Sequence, residues 1–180
     1  MAEGEGRAVA ERRCGFIALI GAPNVGESTL INSIIGAKVA IVSHKVQTTR
    51  TLLRGIATCG DAQLVFIDTP GIFVPRRRLD RAMVAGAWSG AGDADIIGVL
   101  VDAKRELDAD TGALLERLAD ADRRKILIIN KVDLVEKPTL LTLVNDATVR
   151  VRFAATFMVS ALTGDGVAEV REMAIVPLRR

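Results

Sequence analysis

The chain contains no tyrosine, a single tryptophan and only 3% aromatic residues. Proteins that bind single-stranded nucleic acids stack the bases on aromatic side chains, so a stacking platform of that kind is not expected here. The formal net charge of +2 is too small to indicate a polyanionic partner by itself. The composition therefore gives no support to a dedicated single-strand binder.

Cysteine is also scarce, since Cys14 and Cys59 are the only two and form no C-x-x-C pair. Neither a zinc site nor a disulfide framework is indicated, and two reduced cysteines fit a cytosolic protein.

No apolar run in the sequence approaches the roughly 18 residues of a membrane span. The first residues, "MAEGEGRAVAERR", lack the apolar core of a signal peptide and carry acidic residues that transit peptides avoid. We expect a disordered tail over 1–14 of a cytoplasmic protein.

Alternating apolar runs and helical patterns fill the rest of the 180 residues, which fit one globular domain. Strands are predicted over 14–20, 94–102, 125–130 and 153–160, and helices over 28–36, 78–90, 109–120, 138–150 and 166–173. Two further apolar runs flank the Gly-Asp pair at 60–61, which predicts a hairpin. The alternation predicts an α/β sandwich with one antiparallel edge hairpin, and ligands bind such sheets at the carboxyl ends of the strands.

A glycine-rich stretch, "GAPNVGEST", lies between the first predicted strand and helix. Gly21 and Gly26 let the backbone curl so that successive N–H groups face a phosphate, and the helix N-terminus adds its positive dipole. Ser28 offers a hydroxyl to Mg²⁺. A plain strand-to-helix turn is the alternative interpretation. The predicted nucleotide-binding residues of this loop are Gly21, Asn24, Val25, Gly26, Glu27, Ser28 and Thr29.

Three more motifs follow predicted strands. In "DTPG" at 68–71, Asp68 can hold a Mg²⁺-bound water and Gly71 can donate its N–H to a γ-phosphate, although this tetrapeptide is also a common turn. "NKVD" at 130–133 is predicted to bind the base. "SAL" at 160–162 is predicted to contact the guanine oxygen through the N–H groups of Ser160 and Ala161.

The "NKVD" motif decides which base is bound. Asp133 can accept both N–H groups of the guanine edge, Asn130 can support the loop and contact the base, and the Lys131 stem can pack on the ring. An ATP-using enzyme is disfavoured because adenine offers no such donor pair. A dinucleotide-dependent oxidoreductase is disfavoured because no G-x-G-x-x-G follows the first strand. Four motifs in this order at four strand ends predict a guanine-nucleotide site.

With "SHKVQTTR" at 43–50, these motifs resemble the Era family of translation-factor-type GTPases over almost all of 15–170. The resemblance implies a P-loop NTPase three-layer sandwich with a mostly parallel six-stranded sheet. It implies a GTP/GDP switch in small-ribosomal-subunit assembly and rRNA maturation, acting as a cytoplasmic monomer that associates peripherally with membranes. It also implies Mg²⁺ bound by Ser28, Thr49 and Asp68, with Thr48 as the alternative to Thr49.

The resemblance further implies that Asn24 helps to hold K⁺ beside the phosphates, so that Asn24, Thr49 and Gly71 serve catalysis. Ras-type GTPases position the attacking water with a glutamine just after D-x-x-G, and here that place holds Ile72. Isoleucine cannot form a hydrogen bond through its side chain. We therefore expect slow intrinsic hydrolysis that K⁺ stimulates.

Two features depart from the family. Glu27 stands where the phosphate loop has a lysine, so one attraction is lost and one repulsion gained, each roughly 4 kcal/mol before screening at about 4 Å and a dielectric of about 20. GTP binding and hydrolysis are expected to be impaired, GDP binding less so, and a non-catalytic pseudo-GTPase interaction module is the alternative.

The second departure is that the sequence stops at Arg180. We expect residues 15–180 to form one G domain with a short last helix and no C-terminal KH RNA-binding domain, which weakens the case for an rRNA partner.

Overall fold

The structure is a computed structural model that describes residues 13–36, 53–59, 62–67 and 94–175. The predicted helix over 78–90 and the "SHKVQTTR" and "DTPG" motifs lie outside the described residues. The described strands are β1 (Arg13–Gly21), β2 (Leu53–Cys59), β3 (Ala62–Ile67), β4 (Ile96–Asp102), β5 (Arg124–Asn130) and β6 (Ala155–Met158). The described α-helices are α1 (Glu27–Ile35), α2 (Ala109–Ala119), α3 (Lys137–Arg150) and α4 (Val167–Ile175), with a 3₁₀ turn over Val132–Leu134.

The strands form one six-stranded sheet in the order β2-β3-β1-β4-β5-β6. β2 pairs antiparallel with β3, and all other neighbours pair in parallel. The predicted mostly parallel sheet with one antiparallel edge hairpin is therefore confirmed. Because parallel strands need crossover connections, helices follow them and cover both faces of the sheet.

Successive residues of each central strand point to opposite faces, which is why the apolar runs are nearly continuous. In β4, Leu100 packs into the core shared with α1 and α4, whereas Val99 and Val101 pack into the core shared with α2 and α3. All three side chains are completely buried. The predicted three-layer arrangement, helices on each face of a buried sheet, follows from these two cores.

Strand β6 is shorter than the predicted run over 153–160. Val159 is buried beyond its end, and Ser160 then forms an isolated antiparallel bridge with Asp165. Apolar residues that fill the core beside a strand extend its apparent length in the sequence, which accounts for the difference. None of the helices in the described part of the chain has both the length and the apolar composition needed to cross a bilayer.

The strand register brings four loops to one edge of the sheet. Gly21 pairs with Leu100 near the ends of β1 and β4, Asp102 pairs with Asn130 at the ends of β4 and β5, and Ile129 pairs with Met158 at the end of β6. The segments 22–26, 103–108, 131–136 and 159–166 therefore leave the sheet side by side. Three of the predicted motifs lie on these segments.

One buried cation supports the opposite edge. Lys125 is 7% exposed, and its Nζ donates hydrogen bonds to the carbonyl oxygens of Leu118, at 3.1 Å, and Ala121. These carbonyls lie at and just beyond the C-terminal turn of α2, where backbone oxygens lack helical partners and a positive charge is favourable. The lysine thereby ties α2 to the start of β5.

Replacing this cation tests its contribution to stability. In Lys125→Met the apolar stem is kept but both carbonyls lose their charged donor and keep only a backbone one, the N–H of Ala121 for Leu118 and the N–H of Arg123 for Ala121. The free energy of unfolding is therefore expected to fall by about 1–3 kcal/mol. Urea denaturation followed by circular dichroism measures the change. Lys137→Met is the matched control, because Lys137 is exposed, and a change of no more than about 0.5 kcal/mol is expected there. Equal effects of the two substitutions would contradict this role.

Candidate functional site

At two glycines near the loop between β1 and α1, the backbone lies so close to a residue of another strand that a side chain would not fit. Gly26 has φ of 97°, and a Cβ added there would lie 2.4 Å from Nδ2 of Asn130. A Cβ on Gly21 would lie 2.6 Å from the carbonyl oxygen of Leu100. Only glycine fits either position without displacing its neighbour. At Gly21 the reason is contact with β4 rather than the curl that the sequence motif suggests.

Asn130 joins three of the loops through one buried side chain, which is 2% exposed. Its Nδ2 donates to the carbonyl oxygen of Val25 at 2.8 Å, and its Oδ1 accepts from the N–H of Ala161 at 2.9 Å. Both ends of the amide are therefore used, which fixes its orientation. The phosphate-loop segment and the 159–166 segment are held at fixed positions relative to β5.

Lys131 makes a second connection to the glycine-rich loop. It adopts a left-handed conformation with φ of 65°, and its Nζ donates to the carbonyl oxygen of Asn24 at 2.9 Å. The same Nζ forms an ion pair with Oδ2 of Asp102 at 2.6 Å. The aspartate side chain is 6% exposed and the lysine side chain 31%. A buried carboxylate thus orients the lysine across the edge of the sheet.

Asp102 was not among the residues singled out from the sequence. Its Oδ1 also accepts from the backbone N–H of Lys104 at 2.9 Å, so both carboxylate oxygens have partners. The available signal was a charged residue at the end of an otherwise apolar strand, whose neighbouring strand ends at Asn130 and is followed by Lys131. Strand order was needed to pair the two, because 29 residues separate Asp102 from Lys131.

A cavity of about 230 Å³ opens between these segments. It is lined by the predicted residues Gly26, Thr29, Asn130, Lys131, Asp133, Ser160 and Ala161. Two leucines that were not predicted as site residues also line it, Leu134 and Leu162, with 55% and 82% of their surfaces exposed. Exposed leucines beside a cavity offer an apolar surface to a flat ring. Leu162 belongs to the "SAL" motif, which was interpreted only through its backbone.

The other predicted residues are placed as follows. Val25 is buried in the core, 3% exposed, whereas Asn24 and Ser28 are exposed and Glu27 is half-buried at the start of α1. Thr49, its alternative Thr48, Asp68 and Gly71 lie outside the described residues. Gly21 lies at the end of β1, behind the loop.

Of the predicted magnesium ligands, Ser28 is the one that falls within the described residues. Ser28 is an exposed residue in the first turn of α1, and a hydroxyl oxygen is a ligand that suits a hard cation. No group of three or more His, Cys, Asp or Glu side chains within the described residues is arranged to hold a metal by itself.

A larger cavity, of about 400 Å³, lies between the loop before α2 and helix α3. Residues lining it include Glu106, Thr139, Asp146 and Arg150. None of the predicted site residues lines this cavity, and no residue of the predicted strand-end motifs contributes to its walls. The smaller cavity is the candidate site because the loops at the carboxyl edge of the sheet form its walls.

The protein family and the curated proteins that match this chain are GTPases. A family model described as 50S ribosome-binding GTPase matches residues 16–131. The GTPase Era of Bradyrhizobium diazoefficiens is 58% identical over 169 residues, which are 94% of this chain and 55% of that protein. The GTPase Era of Mesorhizobium japonicum is 61% identical over 152 residues, 84% of this chain and 49% of that protein.

The solved structures that match this chain include two of Era proteins. The structure of Era in complex with MgGDPNP and nucleotides 1506–1542 of 16S ribosomal RNA is 30% identical, with a TM-score of 0.79, over 94% of this chain and 58% of that one. A point variant of Aquifex aeolicus Era bound to GDP·AlF4⁻ is 31% identical, with a TM-score of 0.75, over 93% and 58%. The chain spans about half the length of the curated relatives it matches. It belongs to the family of 50S ribosome-binding GTPases, and the similarity to Era inferred from its motifs is confirmed.

Proposed function

We propose that this chain binds guanine nucleotides and acts as the switch domain of an Era-type GTPase. The observation that carries the proposal is the Asn130 amide, which bonds to Val25 and Ala161 and so assembles a phosphate loop and a base pocket into one site. The cavity beside it has the Asp133 carboxylate on its wall. A carboxylate accepts two N–H groups from guanine, whereas adenine presents no matching pair.

The base would lie between apolar surfaces in this pocket. The Lys131 stem lines the cavity while its ammonium is held by Asp102 and the carbonyl of Asn24. Leu162 lies in the loop that also supplies the Ala161 backbone. A purine ring packed on these side chains would cover apolar surface that is exposed in the ligand-free chain. Ser160 and Ala161 stay the predicted contacts to the guanine oxygen.

We propose that Ser28, Thr49 and Asp68 hold Mg²⁺ against the phosphates, and that Asn24 takes part in a K⁺ site. When bound, the cations would neutralise charge that develops on the phosphate oxygens. The Mg²⁺ assignment is supported by the related Era that was solved with MgGDPNP. Thr49 is proposed to close on Mg²⁺ when GTP is bound, and Gly71 to donate its N–H to the γ-phosphate. Because Ile72 stands in place of a polar residue, we expect faster hydrolysis in K⁺ than in Na⁺ of equal concentration.

Glu27 has opposite expected effects on the stability of α1 and on phosphate binding. It is the first residue of α1, where a negative charge stabilises the helix dipole. The same position faces the phosphates in this kind of loop, where a negative charge repels them. We propose that GTP, which carries the larger negative charge, is bound much more weakly than in relatives with lysine, and that GDP is affected less. If hydrolysis is absent, the second candidate function is a pseudo-GTPase module that acts through protein contacts.

For the whole protein we propose a role in assembly of the small ribosomal subunit and in rRNA maturation, in the cytoplasm and as a monomer. The support is the similarity to Era proteins, one of which was solved with a 16S rRNA segment. Peripheral association with membranes is proposed on resemblance alone. The guanine-nucleotide site is the part of this proposal that the geometry supports directly.

Base specificity tests the nucleotide assignment. In Asp133→Asn the charged acceptor for two guanine N–H groups is lost, so GDP affinity is expected to fall by about ten- to a hundredfold. Xanthine carries a carbonyl where guanine carries its amino group, so the new amide can donate to it, and affinity for xanthosine diphosphate is expected to rise. Fluorescence titrations with labelled nucleotides measure both.

Asp146→Asn is the control for this experiment, because Asp146 is an exposed carboxylate on α3 outside the candidate cavity. Its GDP and xanthosine diphosphate affinities are expected to equal those of the unmodified chain. If Asp133→Asn also left both affinities unchanged, the base pocket assigned here would be wrong.

Glu27→Lys is expected to change binding and stability in opposite directions. GTP affinity should rise more than tenfold, since about 1.4 kcal/mol corresponds to one decade and only part of the electrostatic change is needed. The free energy of unfolding should fall by about 0.3–1 kcal/mol, because a positive charge replaces a negative one at the N-terminus of α1. Glu27→Gln, which removes the repulsion without adding an attraction, should be intermediate in both. GTP titration and urea denaturation provide the measurements, and equal GTP affinity of all three proteins would refute the electrostatic argument.

A further inference from the structure

The segment 103–108, between β4 and α2, contacts the glycine-rich loop through an arginine. Nη1 of Arg105 donates to the carbonyl oxygen of Pro23 at 2.8 Å, across 82 residues of sequence. Nη2 of the same guanidinium forms an ion pair with Oδ2 of Asp108. Neither residue belongs to the four motifs, and neither lines the candidate cavity.

Three consecutive carbonyls of the loop accept hydrogen bonds from side chains of other segments. Pro23 accepts from the arginine, Asn24 from Lys131 and Val25 from Asn130. The next carbonyl, of Gly26, accepts from the N–H of Leu30 and begins α1. Every carbonyl over 23–26 therefore has a specific donor.

This pattern sets the direction of the backbone N–H groups. The peptide bonds of the described residues are all trans, and in a trans peptide the C=O of one residue and the N–H of the next point in opposite directions. Carbonyls drawn toward Arg105, Lys131 and Asn130 therefore turn the N–H groups of residues 24–26 the other way. Successive N–H groups on one side of a loop form an anion-binding concavity.

The arginine is itself held in place by a helix end. Asp108 is the N-cap of α2, and its Oδ1 accepts from both N and Oγ1 of Thr111, at 2.9 and 2.8 Å. Oδ2 is left to pair with the guanidinium. Burial raises the pKa of Asp108, but the bonds from Thr111 and the charge of Arg105 outweigh it and hold the pKa below its usual value. The carboxylate is thus charged at neutral pH.

We propose that Arg105, oriented by Asp108, is a positioning residue for phosphate binding: it holds the Pro23 carbonyl outward so that the N–H of residue 24 faces the phosphates, beside the N–H groups of residues 25 and 26 that Lys131 and Asn130 orient. This inference rests on the proposed nucleotide function. The arginine acts through geometry rather than through its charge, because the paired carboxylate cancels that charge. Lys131 is paired with Asp102 in the same way. Two cation–carboxylate pairs therefore hold adjacent carbonyls of one loop.

A comparison of two ligands separates positioning from general stability. GDP contacts the phosphate loop, whereas guanosine carries the same base without phosphates. In Arg105→Gln, GDP affinity is expected to fall about three- to tenfold, the effect of one partly exposed charged hydrogen bond, while guanosine affinity stays within about twofold. Calorimetry measures GDP binding, ligand-observed NMR measures guanosine binding, and circular dichroism verifies folding.

Three further variants complete the test. Arg105→Lys keeps a donor and should recover part of the lost GDP affinity. Asp108→Asn keeps an acceptor for the α2 cap but removes the charge that orients the arginine, so a smaller loss confined to GDP is expected. Arg152→Gln is the control, because Arg152 is exposed just before β6, at the opposite end of the sheet.

Several results would overturn the proposal. GDP affinity unchanged in Arg105→Gln, in a chain whose unmodified form binds GDP, would show that the contact does not position the loop. Equal losses for GDP and guanosine would assign the arginine a merely structural role. No binding of GDP by the unmodified chain would instead refute the proposed function, and the phosphate-positioning role with it.

Discussion

The site depends on one buried amide, that of Asn130. It stands at the end of β5, donates to the glycine-rich loop at Val25 and accepts from the backbone at Ala161. A buried amide that lost either partner would leave a polar group unpaired, at a cost of about 1–3 kcal/mol. The distance between the phosphate loop and the base pocket is therefore fixed before any ligand arrives. When a ligand binds to a preformed site of this kind, little of the binding free energy is lost in ordering the site.

The sheet provides the frame for this amide, and ion pairs extend it. Because β1, β4, β5 and β6 end at one edge, short loops from distant parts of the sequence meet there. Asp102 and Asp108 each orient a cation onto a carbonyl of the phosphate loop, one through Lys131 and one through Arg105. The carbonyls of the loop are thus held by two paired cations, of which Lys131 also lines the candidate cavity whereas Arg105 does not. Glu27 is the first residue of the helix that follows the loop, where a negative charge is favourable, and we propose that the same charge opposes binding of an anion in the loop.

The fold of the described residues could be predicted almost completely from the sequence, because apolar runs and turn signals are local. The hairpin of β2 and β3 and the helix after Gly26 follow from residues near them, whereas the end of β6 was misplaced. Motif residues such as Asp133, which lines the candidate cavity, could be singled out because spacing and residue type mark them. Asp102, Arg105 and Leu162 were missed, since their roles come from contacts that the topology creates: Arg105 lies 82 residues from Pro23. Long-range contacts of this kind leave no periodic signal in the sequence.

We propose that the Asn130 amide holds the nucleotide site together, and calorimetric titration of Asn130→Ala with GDP measures its contribution. Below the melting temperature of the variant, GDP affinity is predicted to fall by roughly five- to a hundredfold, because the loss of both hydrogen bonds, each worth about 0.5–1.5 kcal/mol, frees the phosphate loop from the base pocket. A folded Asn130→Ala chain that binds GDP as tightly as the unmodified chain would contradict the account.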